Sequence, residues 1–357
     1  MTAKQKQPKV IAAALDLERR NFLILLVAGA LALAAAMGLA DMAGYNRLVD
    51  AVQDVVPTWF AVCFGGQVVA YLGYVLAVRD IARVDGGPLL SFRLSMRTVV
   101  AGFGVFAATH AAGGFSVDYW TFRRSGLRRP EAVARVLALG ALEYAVLAPA
   151  ALICAIVLLF GTGGHVQHTM TYPWLAVVPG FLAALWVSSP KRADRLADPG
   201  DGGRIRQWFA HLVAGIVKLR CLLGSPRRHG LGVIGVSLYW LGDIACLWAA
   251  LKIYNAEIST PALILAYATG YVATRRSLPA GGAGLVEVMM TFALVWVGMP
   301  LAPALLGVVT YRAFSFWLPV IPALAALPAV RRMRQDFRRG EIAPEIAPEN
   351  PADFRGK

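Results

Sequence analysis

The sequence predicts an all-α membrane protein, a polytopic bundle of six to eight transmembrane helices with one or two re-entrant helical elements. Three observations predict it. Of the 357 residues, 58% are hydrophobic and 16% charged, with a mean hydropathy of +0.58; soluble chains run at roughly 45–50% apolar and about 25% charged. The apolar residues gather in long runs, and a helix needs about 20 such residues to cross a ~30 Å hydrocarbon core. The 35 Lys and Arg residues alternate between loops, which is how cytoplasmic loops are marked.

The runs come in order. Residues 22–40 and 55–78 hold no charged side chain. Further runs occupy 98–117, 136–160 (broken by Glu143), 172–189, 230–251 (broken by Asp243), 260–274, 285–299 (broken by Glu287) and 305–328 (broken by Arg312). Nothing between them is long enough for a soluble domain. Residues 1–20 form a basic N-terminus, 21–330 the membrane domain and 331–357 a tail. The tail repeats Ile-Ala-Pro-Glu and carries Pro344, Pro348 and Pro351, so a disordered segment is expected there. The run 22–40 is too long for a signal-peptide core.

Counting basic residues gives the topology. The N-terminus, 79–97, 118–135, 190–229 and the C-terminus together hold 30 of the 35. Loops 41–54 and 161–171 are nearly free of them. This predicts a multi-pass protein of the bacterial inner membrane with both termini in the cytoplasm. The net charge of +14 then marks orientation, not nucleic acid, since no folded domain exists to gather a basic face. Residues 205–223 have an apolar face of Phe209, Leu212, Val213, Ile216, Val217 and Leu219 between basic ends, as expected of an amphipathic helix lying in the interface.

Two stretches do not fit simple crossings. Residues 98–117 are flanked on both sides by arginines: Arg93 and Arg97 before, Arg123, Arg124, Arg128 and Arg129 after. The simplest resolution is that this Gly- and Ala-rich stretch enters from the cytoplasm and returns near Gly113 and Gly114; the alternative is an ordinary crossing where the charge rule fails. The second stretch is 260–299. Residues 260–274 make only ~22 Å of helix at 1.5 Å per residue, followed by RRSLPAGGAG at 275–284 and a second short run. Either two short helices cross, or one broken hairpin dips in with its turn at Pro279, Gly281, Gly282 and Gly284. Broken segments in each half, entering from opposite faces, point to a transporter site and suggest an inverted repeat, although no clear internal identity accompanies it.

Catalytic chemistry finds little support. No Walker lysine motif and no GxSxG occur, and carboxylates are not paired at a catalytic spacing. The four cysteines form no CxxC pair, and His165 and His168 lack a carboxylate or thiol partner nearby, so no metal or cofactor is expected. The informative residues are charges at bilayer depth, each costing at least about 2.5 kcal/mol on insertion scales. They are Glu143, Asp243, Glu287 and Arg312, with Asp118, Arg275 and Arg276 near segment ends. Glu287 is placed to pair with Arg312, and Asp243 with Arg275 or Arg276. Such pairs serve either as glue between helices or as function. The helix beginning near Glu287 would also offer N–H groups to an anionic headgroup, with Arg275 and Arg276 beside it.

The stretch LPAGGAGLVE at 278–287, followed by GMPLAPALLGVVTYRAFSFWLP at 298–319, resembles the membrane region of lysylphosphatidylglycerol synthases and their free-standing flippase-like relatives. The family's pattern falls here on Pro279, Gly281, Gly282, Gly284, Glu287, Tyr311, Arg312, Trp317 and Pro319, with Ala280 inserted between the proline and the glycines. The stretch GGFSVDYWTFRRSGLRRPEAVARVLALGALEY at 113–144 is similar to the family's N-terminal half. The resemblance covers most of 20–330. It implies a lipid-translocating membrane domain, with phospholipids, polyprenol-linked sugars or hopanoids as the lipids and without the synthases' aminoacyl-transferase domain. Candidate headgroup contacts are Asp118, Arg123, Arg124, Glu143, Asp243, Arg275, Arg276, Glu287 and Arg312. Two alternatives stand beside translocation. One is a membrane-embedded transferase using Asp118 or Glu143 as base; the other is a non-catalytic partner of a separately encoded lipid-modifying enzyme.

Overall fold

The computed structural model describes residues 7–108, 113–161, 168–197, 204–272 and 282–322, which form helices and short connections with no strand among them. Six of the helices are long and apolar enough to cross a membrane. The predicted all-α polytopic bundle is thus the observed fold. Its outer surface is apolar: Phe160 is 84% exposed, and Leu182, Leu185 and Trp186 all face outward. Lipid, not water, suits that surface.

At the centre lie α3 (Thr58–Arg83) and α11 (Pro226–Lys252). They run antiparallel in contact along their length, because glycines face each other at two levels. A Cβ on Gly73 would lie 2.5 Å from the Gly235 carbonyl oxygen, and one on Gly235 would lie 2.5 Å from that of Gly73. Gly66 and Gly242 oppose each other the same way. Small residues let backbones meet, which is how apolar helices associate where water supplies no hydrophobic drive. Polar ties hold both ends. Asp80 accepts the Gly232 N–H at 2.7 Å, and Arg135 donates to the Ala82 and Val84 carbonyls at the end of α3. At the other end the Val56 N–H donates to the Ile253 carbonyl at 3.0 Å, and the Asn255 amide to that of Asp54 at 2.8 Å.

The segment 98–117 does not cross. It folds as α4 (Phe92–Ala108) and α5 (Gly113–Arg124), packed side by side. Thr98 and Thr121 hydroxyls meet at 3.0 Å, so the chain returns to where it entered and the flanking arginines gather at one end. The helix α6 (Arg129–Phe160) follows. The stretch 260–299 is a second hairpin, α12 (Thr260–Val272) and α13 (Leu285–Trp296). A Cβ on Gly270 would lie 2.6 Å from the Met290 Cα. With 12 residues, α13 reaches only about 18 Å, short for a ~30 Å core, as a broken hairpin would have it. Then comes α14 (Leu301–Arg312), which runs through a π-helical turn at Ala313–Trp317.

The order long helix, short hairpin, long helix therefore occurs twice, at a sequence offset of 169 residues. The offset carries Gly66 to Gly235, Gly73 to Gly242, α4–α5 onto α12–α13, Asp118 to Glu287 and Glu143 to Arg312. It aligns AAGGFSVD at 111–118 with AGGAGLVE at 280–287. Because α3 and α11 are antiparallel, the repeats are inverted. The expectation that no clear internal identity accompanies the repeat is corrected: the correspondence is sparse, carried by glycines at contacts and by an acid on the second helix of each hairpin.

Outside the repeats, α1 (Gln7–Ala43) contains much of the basic N-terminus in one long helix, and α2 (Tyr45–Gln53) fills the loop 41–54. A span made of α7 (His168–Leu175) and α8 (Val177–Val187) leads to α9 (Pro190–Ala197) and α10 (Arg204–Gly224). The helix predicted at 205–223 exists, but Phe209 is exposed while Ala210, Val213 and Leu222 are buried. A small-residue face packs on α6, with Gly215 against Leu137 and Ala138. Lys218 pairs with Asp85. The tail 331–357 lies outside the described residues.

Gly73→Ala is expected to cost about 2 kcal/mol by overpacking, while Gly65→Ala, whose Cβ meets nothing within 4 Å, stays within about 0.5 kcal/mol. Unfolding curves of the purified protein in detergent read the difference.

Candidate functional site

The second repeat gathers its charges around α14. Arg312 donates from Nε to Glu287 Oε1 at 2.9 Å, with side chains 6% and 3% exposed. The expected pair forms, and its remaining geometry is also filled. Glu287 Oε2 accepts the Gly284 N–H at 2.7 Å, and the Arg312 guanidinium lies 4.3 Å from the Phe316 ring centre. Gly284 sits at φ +87°, and a Cβ there would lie 3.1 Å from the Leu31 carbonyl oxygen of α1. A glycine is needed on both counts.

This narrows one expectation. The start of α13 does not offer the Gly284 N–H to a headgroup, because Glu287 in the first turn takes it. A carboxylate three residues along reaches back to that amide, as in the glutamate arm of a capping box.

The expected pairing of Asp243 with Arg275 or Arg276 falls outside the described residues. The described donors to Asp243 are neutral and come from three other helices. Gln67 of α3 donates its amide N–H to Oδ1 at 2.7 Å. Tyr267 of α12 and Tyr311 of α14 donate their hydroxyls to Oδ2 at 2.5 and 2.9 Å. Burying a carboxyl is tolerable only with such partners. Arg275, Arg276, Pro279 and Gly281 lie outside the described residues. Aromatic rings surround the carboxyl: Tyr267 stacks on Tyr271 at 5.0 Å, and Trp240 meets Tyr271 edge-on at 5.6 Å. Tyr311 and Arg312 are consecutive. One turn of α14 thus holds α11 through Asp243 and α13 through Glu287.

In the first repeat Asp118 is buried on α5 and Glu143 on α6. The Glu143 backbone carbonyl accepts the Trp240 indole N–H at 2.9 Å, linking α6 to α11 one turn from Asp243. Arg123 donates to the Leu127 carbonyl at 2.7 Å; it closes the helix end, and Arg124 lies half-buried beside it. Gly113 and Gly114 open α5. Glu287, Arg312 and Asp243 therefore share one junction through Tyr311 and Arg312, with Glu143 a turn of α11 away, while Arg123 has a structural bond.

Residues 22–323 match the family Lysylphosphatidylglycerol synthase TM region. The chain belongs to this family. No match was found among curated proteins. Membership covers both repeats and ties the protein to lipid handling in a membrane. Within the family's span, Gln67, Tyr267 and Asp80 are site or support residues that the sequence analysis passed over. Gln67 had a signal: a primary amide inside an otherwise apolar run.

Arg312→Ala strands Glu287 in the core and is expected to cost about 3–5 kcal/mol, whereas Glu287→Gln with Arg312→Met recovers most of that loss. Thermal unfolding of the three proteins in detergent checks the order.

Proposed function

We propose that this chain moves lipids bearing a polar or anionic headgroup between the leaflets of the bacterial inner membrane, both termini lying in the cytoplasm. The observation that supports it best is the pair of helical hairpins, inverted relative to one another, with a buried acid on the second helix of each. Irregular or broken helices at membrane depth are tolerated only where they are buried in protein or line a wet path. Inverted repeats with broken segments place such a path at their interface. The headgroup would pass between the hairpins near Asp118, Glu143 and the Glu287–Arg312 pair, with the acyl chains left in the bilayer. Membership in a lipid-handling membrane family points the same way. Energetically, a headgroup crossing hydrocarbon faces the cost that any buried charge faces, and fixed charges along the path offset it.

The reading involves no bond-making step. Membrane lipids are its expected ligands, and an interaction with a separately encoded lipid-modifying enzyme is compatible with it.

Proteoliposomes holding fluorescent phosphatidylglycerol test the proposal. Dithionite is expected to quench the inner-leaflet label faster than in empty vesicles. Asp118→Asn is expected to slow that inversion by about tenfold, the effect of losing one interaction worth ~1.4 kcal/mol. Inversion no faster than in empty vesicles, for this lipid and for a labelled polyprenyl phosphate, would overturn the proposal.

A further inference from the structure

Asp243 differs from the other buried acid of its junction in what surrounds it. The partners of Glu287 are a guanidinium and a backbone N–H, which can only donate. Those of Asp243 are a primary amide and two phenol hydroxyls. Each of these turns from donor to acceptor by an amide flip or a hydroxyl rotation. The site therefore accommodates a carboxylate or a carboxylic acid without moving a backbone.

The internal repeat offers a comparison for this acid. At the offset of 169 residues, Asp243 corresponds to Tyr74, Gln67 to Val236, Tyr267 to Thr98 and Tyr311 to Leu142. The first repeat therefore has no acid at the position that corresponds to Asp243.

The remaining groups facing the carboxyl are these. On α14 Arg312 follows Tyr311, and it reaches Glu287 of α13. On α12 Tyr271 stacks on Tyr267, and its hydroxyl meets that of Tyr239 at 3.2 Å. On α11 itself Cys246 lies one turn away, facing Cys63 of α3. On α6 Glu143 is reached through Trp240.

We infer that Asp243 is a proton-binding site that couples to the start of α13. One proton adds to the carboxylate and leaves again; no other covalent bond changes. The link is Tyr311–Arg312, which joins Asp243 to Glu287, and Glu287 in turn holds the Gly284 N–H. A shift of α14 that takes Tyr311 from Asp243 also takes Arg312 from Glu287, so proton occupancy and the start of α13 change together. The use of the proton in transport rests on the translocation proposed above; the proton site itself does not.

Infrared difference spectra of the full chain in lipid nanodiscs, taken between about pH 9 and about pH 5 to bracket the range of buried carboxyls, test this. A protonated-carboxyl stretch is expected to grow on acidification in the wild type. It is expected to be missing from Asp243→Asn and unchanged in Glu257→Gln, an exposed control. In Tyr267→Phe with Tyr311→Phe the band is expected to shift in frequency as two partners are lost, which keeps the test open if Asp243→Asn does not fold. No such band in the wild type, an equal band in folded Asp243→Asn, or an unshifted band in the double variant would overturn the inference. These spectra need no transported lipid, so the proton site and lipid translocation can fail separately.

Discussion

The close approach of two backbones at Gly66, Gly73, Gly235 and Gly242 is the constraint on which the rest depends. It sets α3 and α11 antiparallel and fixes their register. Each of these helices opens one repeat, so their crossing also relates the two repeats. If they span the membrane, as their length and composition indicate, the axis between the repeats lies in the membrane plane. The hairpins that follow then enter from opposite sides. No charge is needed to build this frame. Glycine supplies contact, and the polar ties at Asp80, Arg135 and Asn255 only fasten its ends.

The repeats part company at the buried charges of the hairpins and of the helices that follow them. The second repeat neutralises Glu287 with Arg312. The first carries two acids, Asp118 and Glu143, at the corresponding positions. Likewise α14 ends in a π-helical turn, while α6 continues as regular helix past Glu143. The two halves share a frame but not a chemistry, and a site between them has two unlike walls. That asymmetry suits a directional process better than a symmetric channel. The consecutive residues Tyr311 and Arg312 make α14 the element that touches both Asp243 and Glu287.

Much of this was legible in the residues themselves. Apolar run lengths gave the spans, and the double basic flank of 98–117 singled out the first hairpin. The Glu287–Arg312 pair followed from opposite signs on neighbouring runs. Other features were hidden for physical reasons. The repeat is carried by a few small residues and acids, since lipid-facing positions tolerate any apolar side chain and erase identity. The neutral shell of Asp243 comes from three helices distant in sequence, so no local spacing announces it. The buried face of α10 uses Ala210 and Val213, and not Phe209, because α6 accepts only small residues there. The self-capping of α13 by Glu287 needed geometry to be seen.

The central claim is that both hairpins return to the face they entered, and from opposite faces. Single cysteines placed in a cysteine-free chain, labelled in sealed vesicles by a membrane-impermeant thiol reagent, address it directly. The account predicts that Ser91→Cys and Arg129→Cys, flanking the first hairpin, label from the cytoplasmic face only. It predicts that Ser259→Cys and Pro300→Cys, flanking the second, label from the other face only. Labelling of the two flanks of either hairpin from opposite faces would contradict it.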